Sequence, residues 1–225
     1  MATKIIVSYD GTDNDQDALA LARVLGRVGG SLELAYVRHL REPDARREAQ
    51  VQREAEQLLA DGARWLDQPD LPQHVVFSGS TPEGLASLAD SEHADVIVFG
   101  SEYRTAPEHV MPQASALRLF EGGRYGVAIA PAGLREHPDF QIETVASIDG
   151  DRDPSATETA GLIASRLGAN VAARANGRQS LLVIGSKLGT QPGRVNVSAA
   201  AQYAIELVRC PVLVIPRETV IGFGR

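Results

Sequence analysis

Residues 4–37 read KIIVSYDGTDNDQDALALARVLGRVGGSLELAYV, and this stretch decides the fold. An apolar strand ends at Asp10-Gly11, a polar turn follows, and an amphipathic helix then leads through glycines into a second apolar strand. One face of the predicted helix is apolar and comprises Ala18, Leu21, Ala22, Leu25 and Val28. The pattern predicts two parallel strands with a helix crossing between them.

Three more strands are predicted further along the first part of the chain, in residues 74–79, 96–99 and 126–131. A long charged helix is expected from about Asp44 to Asp67, and another from Pro82 to about Glu92. The apolar face of the long helix is predicted to comprise Val51, Ala55, Leu58 and Leu66. Five strands alternating with helices predict an α/β fold, a doubly wound parallel sheet with helices on both faces and right-handed crossovers.

The chain contains an internal repeat. Residues 142–171 echo 4–37, and residues 179–216 parallel 94–131 with a constant offset of 85 positions. The offset relates Gly100 to Gly185, Tyr103 to Leu188, Gln113 to Ser198 and Pro131 to Pro216. We therefore predict two domains, a complete one in residues 1–134 and a truncated one in residues 140–225.

The second copy lacks the middle of the first. Asp149 and Gly185 are 36 positions apart, against 90 between Asp10 and Gly100, so 54 residues are missing. We expect the helix after Asp149 to cross directly to residues 180–185, which gives three main strands. The stretch NVAAR either extends that helix or forms a short edge strand that turns at Asn176-Gly177.

Both helices that follow an Asp-Gly pair carry a start signal. Asp13 is followed three residues later by Gln16, and Ser155 by Glu158. Such pairs resemble capping boxes, in which the first side chain bonds a backbone N–H of the first turn. They predict N-caps at Asp13 and Ser155.

Composition narrows the class of protein. The chain has 225 residues, 44% of them hydrophobic, and a single cysteine, Cys210, which excludes an internal disulfide or a cysteine-built metal site. No apolar run approaches the roughly 18 residues of a membrane span, and the N-terminus leads directly into a strand without a signal peptide. We expect a soluble, cytoplasmic protein that has no membrane partner.

Charge is distributed unevenly along the chain. The net charge is −7, which argues against a nucleic-acid or anionic-membrane partner because phosphate backbones need a basic surface. Residues 1–139 carry 13 basic and 22 acidic side chains, whereas residues 140–225 carry 9 and 7. An anionic ligand would meet less repulsion in the second part.

These features together resemble the universal stress protein family. The relevant ones are the strand with Asp-Gly, the later strand with Gly-Ser, the loop and helix after it, and the closing CPVLVIP. The chain looks like the tandem form, with a truncated second domain. The resemblance implies strand order 3-2-1-4-5, of the adenine nucleotide alpha hydrolase-like type. It also implies pairing of the last strands, GVAIAP with CPVLVIP, and a role in stress response.

The resemblance also names candidate ligand-binding residues. ATP-binding members carry glycine, two residues, glycine, nine residues, glycine and then serine or threonine, together with an aspartate after the first strand. Carried over by position, the candidates are Asp10, Val37, Gly100, Ser101 and Gln113 in the first copy, and Asp149, Gly185, Ser186 and Ser198 in the second. ATP and AMP are the cofactor candidates, and no cofactor is certain.

Only the first glycine of that motif remains in each copy. Glycine lets backbone N–H groups approach a phosphate closely, and the hydroxyl after the last glycine donates another bond. Gln113 and Ala114 replace these two residues in the first copy, and Pro112 removes a backbone donor. In the second copy Ser198 is small and has a hydroxyl, while Lys187 offers charge. The aspartates and glycines also have a simpler interpretation, as turn residues that let the chain leave the sheet.

Three functions remain open after the residues are considered. The leading hypothesis is a regulatory or scaffold protein of the stress response, not an enzyme, with degenerate nucleotide-binding loops and a protein partner or self-association. The alternative is an adenine-nucleotide sensor that binds ATP or AMP without efficient hydrolysis. A slow ATP hydrolase is disfavoured, because no phosphate-binding G-x-x-x-x-G-K-[ST] loop or nucleophile motif is present.

Overall fold

A computed structural model describes residues 3–150, 152–172, 177 and 179–223. Its first half alternates strands and helices in the predicted order. The elements are β1 (Thr3–Ser8), α1 (Asp13–Arg27), β2 (Gly30–Arg38), α2 (Ala45–Trp65), β3 (Gln73–Phe77), α3 (Thr81–Glu92), β4 (Val96–Phe99), α4 (Ala114–Leu119) and β5 (Gly126–Ile129).

A short 3-10 turn at Leu134–Glu136 leads into the second half. The elements there are β6 (Thr144–Ile148), α5 (Ser155–Leu167), β7 (Asn170–Ala172), β8 (Leu181–Ile184), α6 (Ala199–Leu207) and β9 (Val212–Val214). This half has no described counterpart of α2 or α3.

All strands of the described residues form one sheet, in the order β3-β2-β1-β4-β5-β9-β8-β6-β7. The first five strands are parallel to their neighbours and confirm the expected order 3-2-1-4-5. Among the strands that the structure describes, one antiparallel pairing occurs, which joins β5 to β9, with Val127 opposite Val214 and Ile129 opposite Val212. The predicted pairing of the two last strands is therefore confirmed.

The central strands are buried on both faces, which explains their continuous apolar sequences. Side chains alternate between two cores, so that Ile5 and Val7 lie in one and Ile6 in the other. Helices α1, α2 and α5 cover the first face, and α3, α4 and α6 cover the second. The predicted apolar face of α1 is fully buried. On α2 the predicted apolar face omitted Leu59, which is fully buried. It included Val51 and Leu58, which are only partly buried.

In the second half one prediction is corrected and one alternative is confirmed. Helix α5 does not cross directly to β8, because β7 follows it and pairs parallel with β6. The edge-strand alternative for NVAAR is thus confirmed for residues 170–172, while residues 173 and 174 and the Asn176 of the predicted turn lie outside the described residues. Gly177 is described and has a positive φ of 79°, as a turn requires.

Both predicted helix starts are shifted by one residue. Thr12, not Asp13, is the N-cap of α1, and its hydroxyl accepts a bond from the Asp15 backbone N–H at 3.4 Å. Pro154 precedes the first residue of α5 and makes no side-chain cap. Several polar residues compete at each of these turns, so backbone geometry rather than residue type selects the cap.

A buried carboxylate ties the end of the first half to α1. Asp17 is fully buried, and its two oxygens accept bonds from the backbone N–H groups of Gly133 and Arg135, both at 2.8 Å. The Arg135 guanidinium adds an ion pair at 3.0 Å. Burial of this charge is tolerated because both oxygens are satisfied.

We expect Asp17→Ala to lower the free energy of unfolding by about 3 kcal/mol, because it removes one partner of a buried pair and leaves two backbone donors unsatisfied. Urea denaturation measures the loss. Asp13→Ala is the matched control, since Asp13 contacts the same arginine at 3.4 Å but is 79% exposed. Its loss should stay below about 1 kcal/mol. Equal losses in the two variants would contradict the assignment.

Candidate functional site

A cavity of about 330 Å³ opens at the carboxyl ends of β1 and β2, where α3 and α4 begin. From β1 the chain adds β2 and β3 on one side of the sheet and then β4 and β5 on the other, so the strand order changes direction at β1. Crevices at such a switch point are the usual ligand sites of doubly wound sheets. Of the nine predicted site residues, Asp10, Val37 and Gln113 line this cavity.

Asp10 forms the turn that ends β1. One carboxylate oxygen accepts the Thr12 backbone N–H at 3.0 Å, and Gly11 takes a positive φ of 87°. This is an Asx-type turn, so the simpler interpretation of Asp10 accounts for one of its oxygens. The side chain is exposed at the cavity and also shares a side-chain hydrogen bond with Asp15.

Asp15 is a second carboxylate in the cavity wall, only 5% exposed. One of its oxygens accepts the backbone N–H of Asp10 at 2.5 Å. The pKa of Asp15 is raised to about 8. Burial is the largest cause, and the adjacent Asp10 carboxylate is the second. At neutral pH this carboxyl therefore holds a proton, and the pair carries one negative charge.

Gln113 occupies the position where the family motif has its last glycine. Its side-chain amide donates to the Gly100 carbonyl at 3.1 Å and also contacts Asp15. The residue precedes α4 with φ −64° and ψ 159°, an extended conformation that does not require glycine. The amide thus bridges the end of β4 and the buried Asp15 carboxyl.

Gly100 and Ser101 lie behind the cavity rather than in its wall. A Cβ on Gly100 would lie 1.9 Å from the Asn14 backbone oxygen, so only glycine lets α1 approach the end of β4. The Ser101 hydroxyl is fully buried, donates to the Ala130 carbonyl at 2.7 Å, and accepts the Met111 N–H at 3.2 Å. Both residues fix the loop after β4.

Apolar and hydroxyl groups complete the cavity. Val37 and Ala35 contribute buried apolar surface from the end of β2, next to the half-buried Tyr36. Both ring nitrogens of His39 are engaged, by the Ser78 carbonyl at 3.0 Å and the Thr81 hydroxyl at 3.2 Å. These contacts hold the ring between the loop after β2 and the start of α3.

The candidates of the second half are engaged in local structure. Both Asp149 oxygens bond Thr157, one to its N–H at 2.9 Å and the other to its hydroxyl at 2.6 Å. Ser198 caps α6 by accepting the Ala201 N–H at 3.1 Å. The Ser186 hydroxyl donates to the Ile215 carbonyl at 2.8 Å, and a Cβ on Gly185 would lie 2.9 Å from the Gly150 nitrogen.

Sequence analysis missed Asp15, His39 and Thr81. Asp15 stands three residues before Ala18, hence on the inward face of α1, so its helical position already indicated burial. His39 follows β2 and Thr81 begins α3, and they meet only because the loop after β2 and the start of α3 converge. Periodicity carries no signal for that convergence.

Metal and membrane features are absent from the part of the chain that the structure describes. His, Cys, Asp and Glu side chains there form no group of three or more suited to a metal ion. None of the described helices combines the length and the apolar character that crossing a bilayer requires.

The sheet order, the switch-point cavity and the Asp-Gly turn define a doubly wound α/β protein. A family model described as the universal stress protein family matches residues 1–115, half of the chain. The chain therefore belongs to the universal stress protein family, and this membership supports a stress-related role. A search of the curated proteins gives no match.

Solved structures show the same fold. A universal stress protein from Archaeoglobus fulgidus DSM 4304 is 13% identical with a TM-score of 0.72, and the match covers 95% of this chain and 98% of that one. A putative universal stress protein from Pseudomonas aeruginosa UCBPP-PA14 is 12% identical with a TM-score of 0.60, covering 96% and 94%. A universal stress protein in complex with cAMP is 24% identical with a TM-score of 0.32, covering 43% and 70%.

The raised pKa of Asp15 predicts a pH-dependent stability. The folded protein keeps this proton up to about pH 8, whereas the carboxyl of the unfolded chain releases it near 3.8. The free energy of unfolding therefore falls as the pH rises between these values, by at most about 1.4 kcal/mol per pH unit from this group. Asp15→Asn removes the effect, so the variant should gain stability relative to the parent protein as the pH rises.

Urea denaturation at pH 5, 6.5 and 8 measures this difference. Asp13→Asn, which neutralises an exposed carboxylate of the same turn, should follow the parent protein. A constant difference between Asp15→Asn and the parent across this range would show that Asp15 carries no such proton.

Proposed function

We propose that this protein is a regulatory or scaffold module of the stress response that acts without hydrolysing ATP. The observation that supports this most directly is the position of Gln113, whose amide bonds the Gly100 carbonyl where the family motif holds phosphate. Ala114 supplies no hydroxyl at the following position. The exposed Asp10 carboxylate stands in the same cavity, and its negative charge repels a triphosphate. We also propose the division into domains 1–134 and 140–225.

An adenine-nucleotide sensor is the second candidate, and the open cavity favours it. Asp10 and Val37, the residues that family resemblance assigns to the nucleoside end, both line that cavity. The relative solved with cAMP binds a nucleotide, but its TM-score of 0.32 is too low to transfer the ligand to this chain. ATP and AMP therefore stay as the ligands to test.

Nucleotide binding separates the two candidates. We expect protein purified without added nucleotide to release none on denaturation, and ATP titration to give no heat. Gln113→Gly combined with Ala114→Ser should increase ATP affinity by about tenfold, because it restores close backbone approach and the missing hydroxyl. Isothermal titration calorimetry measures the gain.

Leu117→Ser is the control for that experiment, since Leu117 is exposed on the same helix and outside the cavity lining. It should leave the ATP titration flat. Tight ATP binding or steady turnover by the unaltered protein would overturn the regulatory proposal and favour the sensor or a hydrolase.

Protein contacts are proposed to involve α6. Tyr203 and Leu207 are 63% and 62% exposed and lie four residues apart, hence on one face of that helix. The equivalent positions near α4 hold Arg118 and Gly122, and in that half α3 packs against α4. We propose that the α6 face binds a second copy of the chain or a protein partner.

We expect Tyr203→Glu to lower the solution mass at micromolar concentration, because a charge opposes burial of this face. Light scattering over a dilution series measures the mass, and Leu117→Glu on α4 serves as the matched control. A monomeric mass that does not change on concentration would contradict self-association.

A further inference from the structure

We propose that the cavity beside Asp10 binds an uncharged, hydroxyl-bearing molecule of nucleoside size and discriminates against its phosphorylated forms. The inference rests on the proposed function, because it concerns the same cavity, and it specifies the class of ligand that a non-hydrolysing module would take.

The charge of the lining is the first argument. Among the described residues that line the cavity, two are aspartates and none is a lysine or an arginine. The only ionisable base in this lining is His39, whose two ring nitrogens contact the Ser78 carbonyl and the Thr81 hydroxyl rather than standing unpaired. Since the pKa of Asp15 is raised to about 8, the Asp10–Asp15 pair retains one negative charge at neutral pH. That charge opposes a phosphate and does not oppose a neutral molecule.

The available hydrogen-bonding groups are the second argument. The Asp10 N–H is engaged by Asp15, and the Gln113 amide by Gly100 and Asp15, so neither of these donors is available to an anion. The exposed carboxylate of Asp10 is an acceptor only. It bonds the Thr12 N–H and shares a side-chain hydrogen bond with Asp15, which leaves part of its acceptor capacity for a ligand. Ligand hydroxyl groups are donors, so they complement this surface whereas phosphate oxygens do not.

Size and surface character are the third argument. The volume of about 330 Å³ falls at the lower end of small-molecule pockets and matches a ligand of one ring system and one sugar. Val37 and Ala35 offer an apolar wall for a flat ring, while Thr12, Thr81 and Ser115 bring hydroxyls that accept or donate. Gln113 closes the side on which a chain of phosphates would extend.

Calorimetric titration of the full chain with adenosine, AMP and ATP tests the inference. Adenosine should bind with a measurable dissociation constant, AMP at least about tenfold more weakly, and ATP without detectable heat. Asp10→Asn preserves the acceptor for Thr12 and removes the charge. It should reduce the preference for adenosine over AMP by about tenfold. Asp15→Asn removes no charge, because that carboxyl already holds a proton at neutral pH, so it should change the preference much less.

Asp13→Asn is the matched control. It removes one charge from the same turn, but Asp13 is 79% exposed and lies outside the cavity lining, so the preference should be unchanged. The inference is overturned if AMP or ATP binds as tightly as adenosine, if Asp10→Asn leaves the preference unchanged, or if adenosine does not bind. The last outcome leaves the proposed regulatory function standing, whereas ATP binding with turnover overturns both.

Discussion

The antiparallel pairing of β5 with β9 is the contact on which the rest of the structure depends. It joins the two halves of the sheet and removes two strand edges that would otherwise expose unpaired backbone groups. Both cores run across this junction, because Ala128 and Leu213 lie in one and Val127 and Val214 in the other. The shorter half therefore does not need to build a separate core from its four strands.

The same pairing determines where the two candidate sites lie. Within each half the neighbouring strands are parallel, so the antiparallel junction directs the carboxyl ends of β1 and β6 toward opposite edges of the sheet. The Asp10 cavity and the Asp149 turn are consequently separate. The loop before α6 is instead braced by the first half, since the Gly122 N–H donates to the Val195 carbonyl at 2.8 Å and the Val195 N–H donates to Gly123 at 2.7 Å.

Much of the fold was predictable because buried positions hold apolar residues, which recur in the sequence with the period of a helix or fill a short strand. The strands of a parallel sheet are apolar on both faces, and α1 has an apolar face that the sequence shows directly. Helix starts were less predictable, because Thr12, Asp13 and Asp15 all offer a capping oxygen and only the backbone conformation selects one. The edge strand β7 has three residues, too few for any period, so it remained an open alternative.

The site was predictable only in its outline. Asp10, Val37 and Gln113 line the cavity, as their positions in the family motif implied, but the motif says nothing of Asp15. Asp15 changes the chemistry, because its carboxyl takes the Asp10 backbone N–H and shares a hydrogen bond with the Asp10 side chain, where a phosphate site needs free donors and positive potential. A change at Gln113 alone would have weakened an anion site. Together, Asp15 and the Gly100 carbonyl engage two donors that a phosphate could otherwise use, and this is the physical basis for proposing a different class of ligand.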